Sequence, residues 1–435
     1  MLDSVLRLNI VTGVLIWSCF GLSAVALVYL LARFPARRYL LVSVSAMIGG
    51  GLAAVLIWFL VVRVFDVFNI PLGHTTYLWL AATCIGVCLA FSSLWNSTGL
   101  RKALAAACVV LFLVTGALGI NAGFGLNRTV GSLLSISTQT TLVLPAPRHK
   151  PATHGPAQPL WKSWRAPADL PAKGTTGSQV IPNTLSGFSS RPAGIYLPPA
   201  ALVPNPPALP LVVLMMGQPG DPDPSYVAET LDAMAARNNG LAPIVIVADQ
   251  LGDPNIDPLC LDTAKYGNAE TFLTQDVVNW ARTNLNIIQD PRYWTIAGYS
   301  NGGQCAISLF AKHPRLWSNV IDISGEEFPG TEILDATLQD VFGGNTAAYD
   351  AQKPVNLLAN RHFTGTTAVF TVGSNDAGFI PGTHRVAAAA EAAGMAVTYW
   401  ESPNGGHVFP ALTDGLDKAF EMLYPKLGLT GVATG

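Results

Sequence analysis

Charge is what this sequence has least of. Only 12% of its 435 residues are Asp, Glu, Lys or Arg, and 50% are hydrophobic. A soluble globular chain carries about 25% charged residues. The shortage is local. Residues 1–125 hold nine charged side chains: Asp3, Arg7, Arg33, Arg37, Arg38, Arg63, Asp66, Arg101 and Lys102. The other 310 residues hold 18 basic and 25 acidic side chains, an ordinary, mildly acidic balance. The missing basic surface excludes a general nucleic-acid binder. The uneven split excludes a simple cytosolic enzyme and a disordered chain. Cysteine is scarce as well. Four of the six, Cys19, Cys84, Cys88 and Cys108, fall in apolar runs and read as small packing residues. No His or acidic neighbour turns Cys84 and Cys88 into a metal site, and there is no internal repeat.

Four apolar runs are present, over 8–32, 39–62, 76–95 and 103–124. Each reaches the ~20 residues needed to cross a bilayer as a helix. Four in succession do not fit a cleaved signal peptide, so 1–125 is expected to be a four-span transmembrane region. Gly49, Gly50 and Gly51 offer a place for close helix contact. None of the spans carries an ionisable residue near its middle, which argues against a transporter or pump. Asp66 and His74 read as exposed loop residues, not as a proton or metal site. Arg33, Arg37 and Arg38 follow the first span, and Arg101 with Lys102 precedes the fourth. Placing both basic loops inside the cell leaves everything after residue 124 outside. A multi-pass cell-membrane protein with an extracytoplasmic C-terminal domain is therefore expected.

Over 126–176 seven prolines fall among Ser, Thr and Ala, which suits an extended Pro-rich linker. His149 and His154 in it read as solvated. From 177 to 435 short β-type runs alternate with helical stretches. Strands are expected at 178–181, 193–197, 211–216, 244–248, 293–297, 320–323, 368–372 and 397–401, and helices at 225–239, 270–284, 301–312, 383–393 and 411–424. Continuous apolar strands separated by helices predict a mostly parallel central sheet covered on both faces.

The most informative segment is Tyr293 to Gly303, an apolar strand running into Gly298-Tyr299-Ser300-Asn301-Gly302 and then a helix. A nucleophile on a sharp strand-to-helix turn needs small neighbours, and Gly298 and Gly302 supply that room. Ser300 is the expected nucleophile. Its base must be a histidine held by an acid, in the chain order Ser, acid, His. His313, His362 and His384 lie in or beside helical stretches. His407 follows Asn404-Gly405-Gly406 after the last strand and is the expected base. Asp376, directly after strand 368–372, is the expected acid, with Glu326 or Glu327 as rivals after the preceding strand. The oxyanion hole is assigned to the N–H groups of Asn301 and Gln218, the latter in Met216-Gly217-Gln218-Pro219-Gly220. Cys260 and Cys305 form an even pair in an exported domain and invite a disulfide; two buried free thiols are the alternative. Asp221, Asp223, Asp253 and Asp257 flank the expected mouth, where they would draw in a cationic acyl group, although most of them also read as solvated loop residues.

These residues resemble the putative-esterase family of α/β-hydrolases, which includes actinobacterial mycolyltransferases and carboxylesterases. The resemblance rests on 216–220, Cys260-Leu261-Asp262, 270–277, 298–303, Ser324-Gly325-Glu326 and Gly405-Gly406-His407. A four-span anchor followed by such a domain looks like an arrangement of actinobacterial envelope proteins. Some similar membrane-tethered esterases hydrolyse aminoacyl-phosphatidylglycerol. The resemblance implies a serine esterase acting through an acyl-enzyme, needing no cofactor, on a membrane-lipid or cell-envelope ester. An acyltransferase that passes the acyl group to a sugar or lipid hydroxyl is the alternative. No nucleic-acid partner is expected, and the sequence leaves the oligomeric state open.

Overall fold

A computed structural model describes residues 2–32, 37–65, 74–95, 97–125, 127–134, 136, 138–145 and 155–431. Arg33, Asp66, Pro147, His149, Pro151 and His154 lie outside the described residues. The chain divides into two compact units, Met1–Thr138 and Gln139–Gly435.

The first unit contains four helices long and apolar enough to cross a membrane among the described residues. They are α1 (Val14–Leu31), α2 (Arg37–Phe59, continued by a π-turn to Val64), α3 (His74–Ser92) and α4 (Gly99–Phe124). Helix α1 starts at residue 14, later than the apolar run suggests. The Asn9 side chain accepts hydrogen bonds from the N–H groups of Val11 and Thr12 at 2.9 and 2.8 Å, a local turn that competes with the helix. At the other end of α1, Arg101 donates to the carbonyls of Tyr29 and Leu30 at 3.3 and 3.2 Å. A cation there satisfies carbonyls that a helix C-terminus leaves unpaired. The same contact puts the end of α1 and the start of α4 on one side of the bundle. Of the three consecutive glycines, only Gly50 packs closely: a Cβ there would lie 2.6 Å from the Ile85 Cα of α3. Gly49 and Gly51 face open space. Ser23 and Thr115 share a hydrogen bond of 2.8 Å between α1 and α4.

The second unit is built on an eight-stranded sheet: β1 (Thr175–Gln179), β2 (Ala193–Leu197), β3 (Leu211–Met215), β4 (Ile244–Ala248), β5 (Trp294–Tyr299), β6 (Asn319–Ile323), β7 (Thr367–Gly373) and β8 (Ala396–Ser402). The spatial order is β1-β2-β4-β3-β5-β6-β7-β8. Strand β2 runs antiparallel to β1 and β4, and all other pairs are parallel. Every residue of β2 through β7 is buried, as a sheet covered on both faces requires. The covering helices include α5 (Ser225–Arg237), α6 (Val277–Asn284), α7 (Asn301–Lys312), α8 (Ile380–Ala392) and α9 (Phe409–Leu423). This is the α/β-hydrolase architecture, with the mostly parallel central sheet expected from the sequence.

Two sequence expectations shift. The first strand is Thr175–Gln179, not 178–181, because its register is set by pairing with β2 and its own residues carry no apolar alternation. The Pro-rich stretch is also not simply a spacer in its described parts. Leu142 N–H donates to the Ser178 carbonyl at 3.1 Å, Trp164 Nε1 to the Asn239 carbonyl at 2.9 Å, and Leu160 is 6% exposed within the core. A one-turn helix, Leu160–Ser163, interrupts it, and apolar residues between the prolines anchor it to the domain. The segment 327–366 adds short helices, Leu334–Asp340, Thr346–Asp350 and Pro354–Ala359, between β6 and β7.

The close contact at Gly50 is testable. Gly50→Val should lower the thermal stability of the full-length protein by an amount equivalent to about 1–3 kcal/mol, the usual cost of overpacking. Gly49→Val should leave it within about 0.5 kcal/mol. A detergent-solubilised melting series on both variants measures the difference.

Candidate active site

The site forms at the C-terminal ends of the parallel strands, where β5 stops and α7 begins. Ser300 joins them with φ 55° and ψ −122°, a backbone conformation that a side-chain-bearing residue rarely adopts. Close packing holds it there. A Cβ on Gly298 would collide with the Gly302 carbonyl, and one on Gly302 would strike the Met215 carbonyl. The turn can therefore bring β5, α7 and the end of β3 this close only with glycine at both places. Ser300 is 8% exposed.

Two other loops converge on it. His407 Nε2 lies 2.8 Å from Ser300 Oγ, and His407 Nδ1 lies 2.8 Å from Asp376 Oδ2. Asp376 is 5% exposed. The loop carrying the acid and the loop carrying the histidine are tied together. Ser374 N–H donates to the Ser402 carbonyl at 2.9 Å, Asn375 N–H to the Gly405 carbonyl at 2.7 Å, and Asn404 N–H to Ser374 Oγ at 2.9 Å. The imidazole is stacked between two aromatic rings, Phe379 at 3.8 Å and Tyr299 at 5.4 Å between centroids. Burial and the Asp376 charge push the Tyr299 phenol well above its usual range, so it stays neutral beside the histidine. A hydroxyl, an imidazole and a carboxylate in this chain can move a proton off the hydroxyl oxygen while keeping the imidazole in one tautomer.

The remaining histidines are elsewhere. His313 Nε2 is 2.7 Å from Glu270 Oε1, and Lys312 Nζ is 2.7 Å from Glu270 Oε2. Burial opposes the Glu270 charge, but the bonds from His313 and Lys312 outweigh it and hold the carboxyl below its usual range. His362 lies against Gly394, and His384 meets the Tyr399 ring edge-on. Of the rival acids, Glu327 pairs with Arg385. Glu326 is buried next to the nucleophile turn, its N–H 3.4 Å from the Ser300 carbonyl, while His407 Nδ1 is occupied by Asp376.

The N–H groups of Asn301 and Gln218 have no intramolecular acceptor among the described residues, so both are available to an anion. Two residues that sequence reasoning missed brace them. Gln250, after β4, donates to the Met216 carbonyl at 2.5 Å and to Asn301 Oδ1 at 3.2 Å. Arg191, before β2, donates to the Gly220 carbonyl at 2.9 Å and pairs with Asp221 and Asp249, each at 2.7 Å. Neither carries a local motif; their partners lie 29 to 58 residues away in sequence.

All four acids expected around the mouth have structural partners. Asp221 pairs with Arg191, Asp223 accepts from Ser225, and Asp253 accepts from Asn255. Asp257 accepts from Leu259 N–H at 2.7 Å and also lies against the Asn301 side chain. Cys260 and Cys305 are joined in a disulfide that ties the loop after Asp257 to α7, one turn beyond Ser300. No group of three or more potential metal ligands occurs among the described residues.

Behind the turn, Asp322 of β6 is 2% exposed; it accepts from Gly325 N–H, and its Oδ1 has no partner. Burial pushes its carboxyl up to about 7. The folded protein thus binds this proton more tightly than the unfolded chain, whose carboxyl titrates near 3.8. The resulting stability is fully present below about pH 4 and is lost as pH rises through 7. Asp322→Asn should flatten that fall, with a gain over the parent of roughly 4 kcal/mol at most at pH 8. Melting curves of both proteins from pH 4 to 8 check it, and parallel curves would remove Asp322 as the source.

Residues 189–410 match the family described as "Putative esterase", a stretch that contains Ser300, Asp376 and His407. An uncharacterized protein of Corynebacterium glutamicum is 29% identical over 419 residues, covering 94% of each chain. That match runs through the apolar helices as well as the hydrolase unit. Among solved structures, a ferulic acid esterase is 17% identical with a TM-score of 0.48, covering 59% of this chain and 99% of its own. An S-formylglutathione hydrolase from Agrobacterium tumefaciens is also 17% identical with a TM-score of 0.48, covering 59% of this chain and 97% of its own.

Proposed function

Since the chain belongs to the putative esterase family and is a carboxylic-ester hydrolase, we propose that it is a membrane-anchored serine esterase whose site faces the extracytoplasmic side. The observation that carries the reading is the hydrogen-bonded series Ser300 Oγ, His407 and Asp376, both links 2.8 Å long, beside the unengaged N–H groups of Asn301 and Gln218. In the first half-reaction Ser300 Oγ attacks the ester carbonyl while His407 Nε2 takes its proton. Asn301 and Gln218 N–H groups receive the developing oxyanion. The tetrahedral intermediate collapses as His407 returns the proton to the leaving alcohol. Water then attacks the acyl-enzyme with His407 again as base, releasing the acid and restoring Ser300. Asp376 holds the imidazole tautomer and steadies the imidazolium.

The substrate we propose is a lipid or envelope ester, specifically an aminoacyl ester of phosphatidylglycerol. Four apolar helices supply an anchor that keeps the domain beside the bilayer. The basic residues after α1 and in the first turn of α4 favour the cytoplasm for those helix ends, which leaves the hydrolase unit outside. A disulfide in that unit fits an oxidising compartment.

Ser300→Ala should abolish labelling by a fluorophosphonate probe, and Asp376→Asn should lower kcat by about 10³- to 10⁴-fold with binding little changed. Labelling that survives Ser300→Ala would remove Ser300 as the nucleophile. In cells, aminoacyl-phosphatidylglycerol should accumulate in a deletion strain and in one complemented with Ser300→Ala, but not in one complemented with the parent gene. Lipid extracts analysed by mass spectrometry decide this. Predominant transfer of the acyl group to added sugar or lipid hydroxyls in place of hydrolysis would favour an acyltransferase.

A further inference from the structure

Three carboxylates stand beside the nucleophile turn without a matching cation. Glu326 is the innermost. It is 6% exposed, and its carboxylate makes no hydrogen bond or ion pair among the described residues. A buried carboxylate is normally paired, because leaving it without a partner carries the full cost of desolvation. Its neighbours make matters worse. Burial, Asp257 and Glu332 all raise its pKa, and no basic residue acts against them. Glu332 is solvent-exposed at the rim, where partial desolvation and Asp257 raise its pKa and His407 draws it down. The three acids thus extend from the nucleophile turn to the histidine.

A second observation lies on the other wall. Asn301 is fully buried, and its Nδ2 has no hydrogen-bond partner within bonding geometry, though its side chain is close enough to Asp257 to lower that pKa. The Asn301 amide is thus turned toward Asp257, which also accepts from Leu259 N–H at 2.7 Å, and Glu326 is left as the buried carboxylate without a partner. Lys353, a nearby cation, is engaged with Asp350 at 2.8 Å and with the rings of Phe328 and Tyr349.

We infer that Glu326, with Asp257 and Glu332 beside it, forms the subsite that takes the ammonium group of an α-aminoacyl ester whose carbonyl lies at Ser300. The inference rests on the esterase reading and deepens it. The position favours the acyl side of the ester. Glu326 N–H is 3.4 Å from the Ser300 carbonyl, so the carboxylate belongs to the residue packed on the nucleophile's own backbone. The nitrogen of an α-ammonium is two bonds from the carbonyl carbon that Ser300 attacks. A phosphate-bearing alcohol would be repelled by three carboxylates and must leave on the opposite side. An ammonium brings three donors and one positive charge, which is what this group of acceptors lacks. A neutral acyl chain of the same size would leave Glu326 desolvated and unpaired, so the subsite discriminates against it.

The test uses the full-length protein in detergent micelles and two esters of one alcohol, alanyl and propionyl, which differ only by the α-ammonium. Rates are divided by those of hydroxide hydrolysis to remove intrinsic reactivity. The parent should prefer the alanyl ester at least tenfold in kcat/KM, and Glu326→Gln should reduce that ratio at least fivefold. Glu332→Gln, at the rim, should reduce it about twofold, and it carries the test if Glu326→Gln does not fold. A parent ratio near one overturns the subsite, as does a ratio unchanged in both variants while the two rates fall together. Turnover of the propionyl ester alone sinks the subsite and leaves the esterase standing. Turnover of neither ester sinks the esterase reading and the subsite with it.

Discussion

The geometry of the hydrolase unit depends on one backbone constraint, the positive φ at Ser300. That conformation costs free energy locally and persists only where its surroundings over-determine it. Here they do so from three directions. Strand β5 enters from the centre of a sheet whose strands are buried on both faces. Helix α7 leaves with all but its last residue buried. The end of β3 presses so closely on Gly302 that no side chain fits between them. The disulfide from Cys305 to Cys260 then fixes the first turn of α7 to the loop that carries Asp257. What the constraint achieves is exposure of one oxygen, together with a helix N-terminus whose first N–H has no other work.

The histidine depends on a different kind of restraint. Its loop is rich in glycine and has no secondary structure of its own, so its position comes from contacts. Hydrogen bonds to the Asp376 loop fix the backbone, and Phe379 and Tyr299 hold the ring from both faces. Stacking of this kind is worth about 1 kcal/mol beyond the buried area. Its larger effect is to restrict the imidazole to the plane in which one nitrogen meets Asp376 and the other Ser300.

Electrostatically, the site is lined by carboxyl groups at its wall and its base. Asp322 is buried behind the turn, and Glu326 is buried beside it, both with carboxyls pushed up by desolvation. Proteins rarely keep such groups near a reaction centre without a use for the charge. The proposed esterase chemistry needs only Ser300, His407, Asp376 and two N–H groups. The extra carboxylates are what distinguish this site from that minimum.

By itself the sequence determined the elements and the order of the reactive residues. Apolar periodicity located β2 and β4 and the start and end of α7, because continuous burial forces continuous hydrophobicity. The glycine pattern around Ser300 and the Gly-Gly-His turn were legible for the same reason: local backbone geometry restricts which residue can occupy the position. The position of Asp376 just after β7 and the Cys260–Cys305 disulfide were legible from chain order and from the count of cysteines. Only the tertiary structure decided what each charged group is for. Asp221, Asp223, Asp253 and Asp257 look alike in sequence, yet Arg191, Ser225 and Asn255 occupy three of them, while Asp257 reaches the site. Glu326 and Glu327 are neighbours, but one is exposed enough to pair with Arg385 and the other is buried unpaired. Gln250 and Arg191 carry no motif at all. Pairing is a matter of distance between residues far apart in the chain, and a one-dimensional pattern carries no distances.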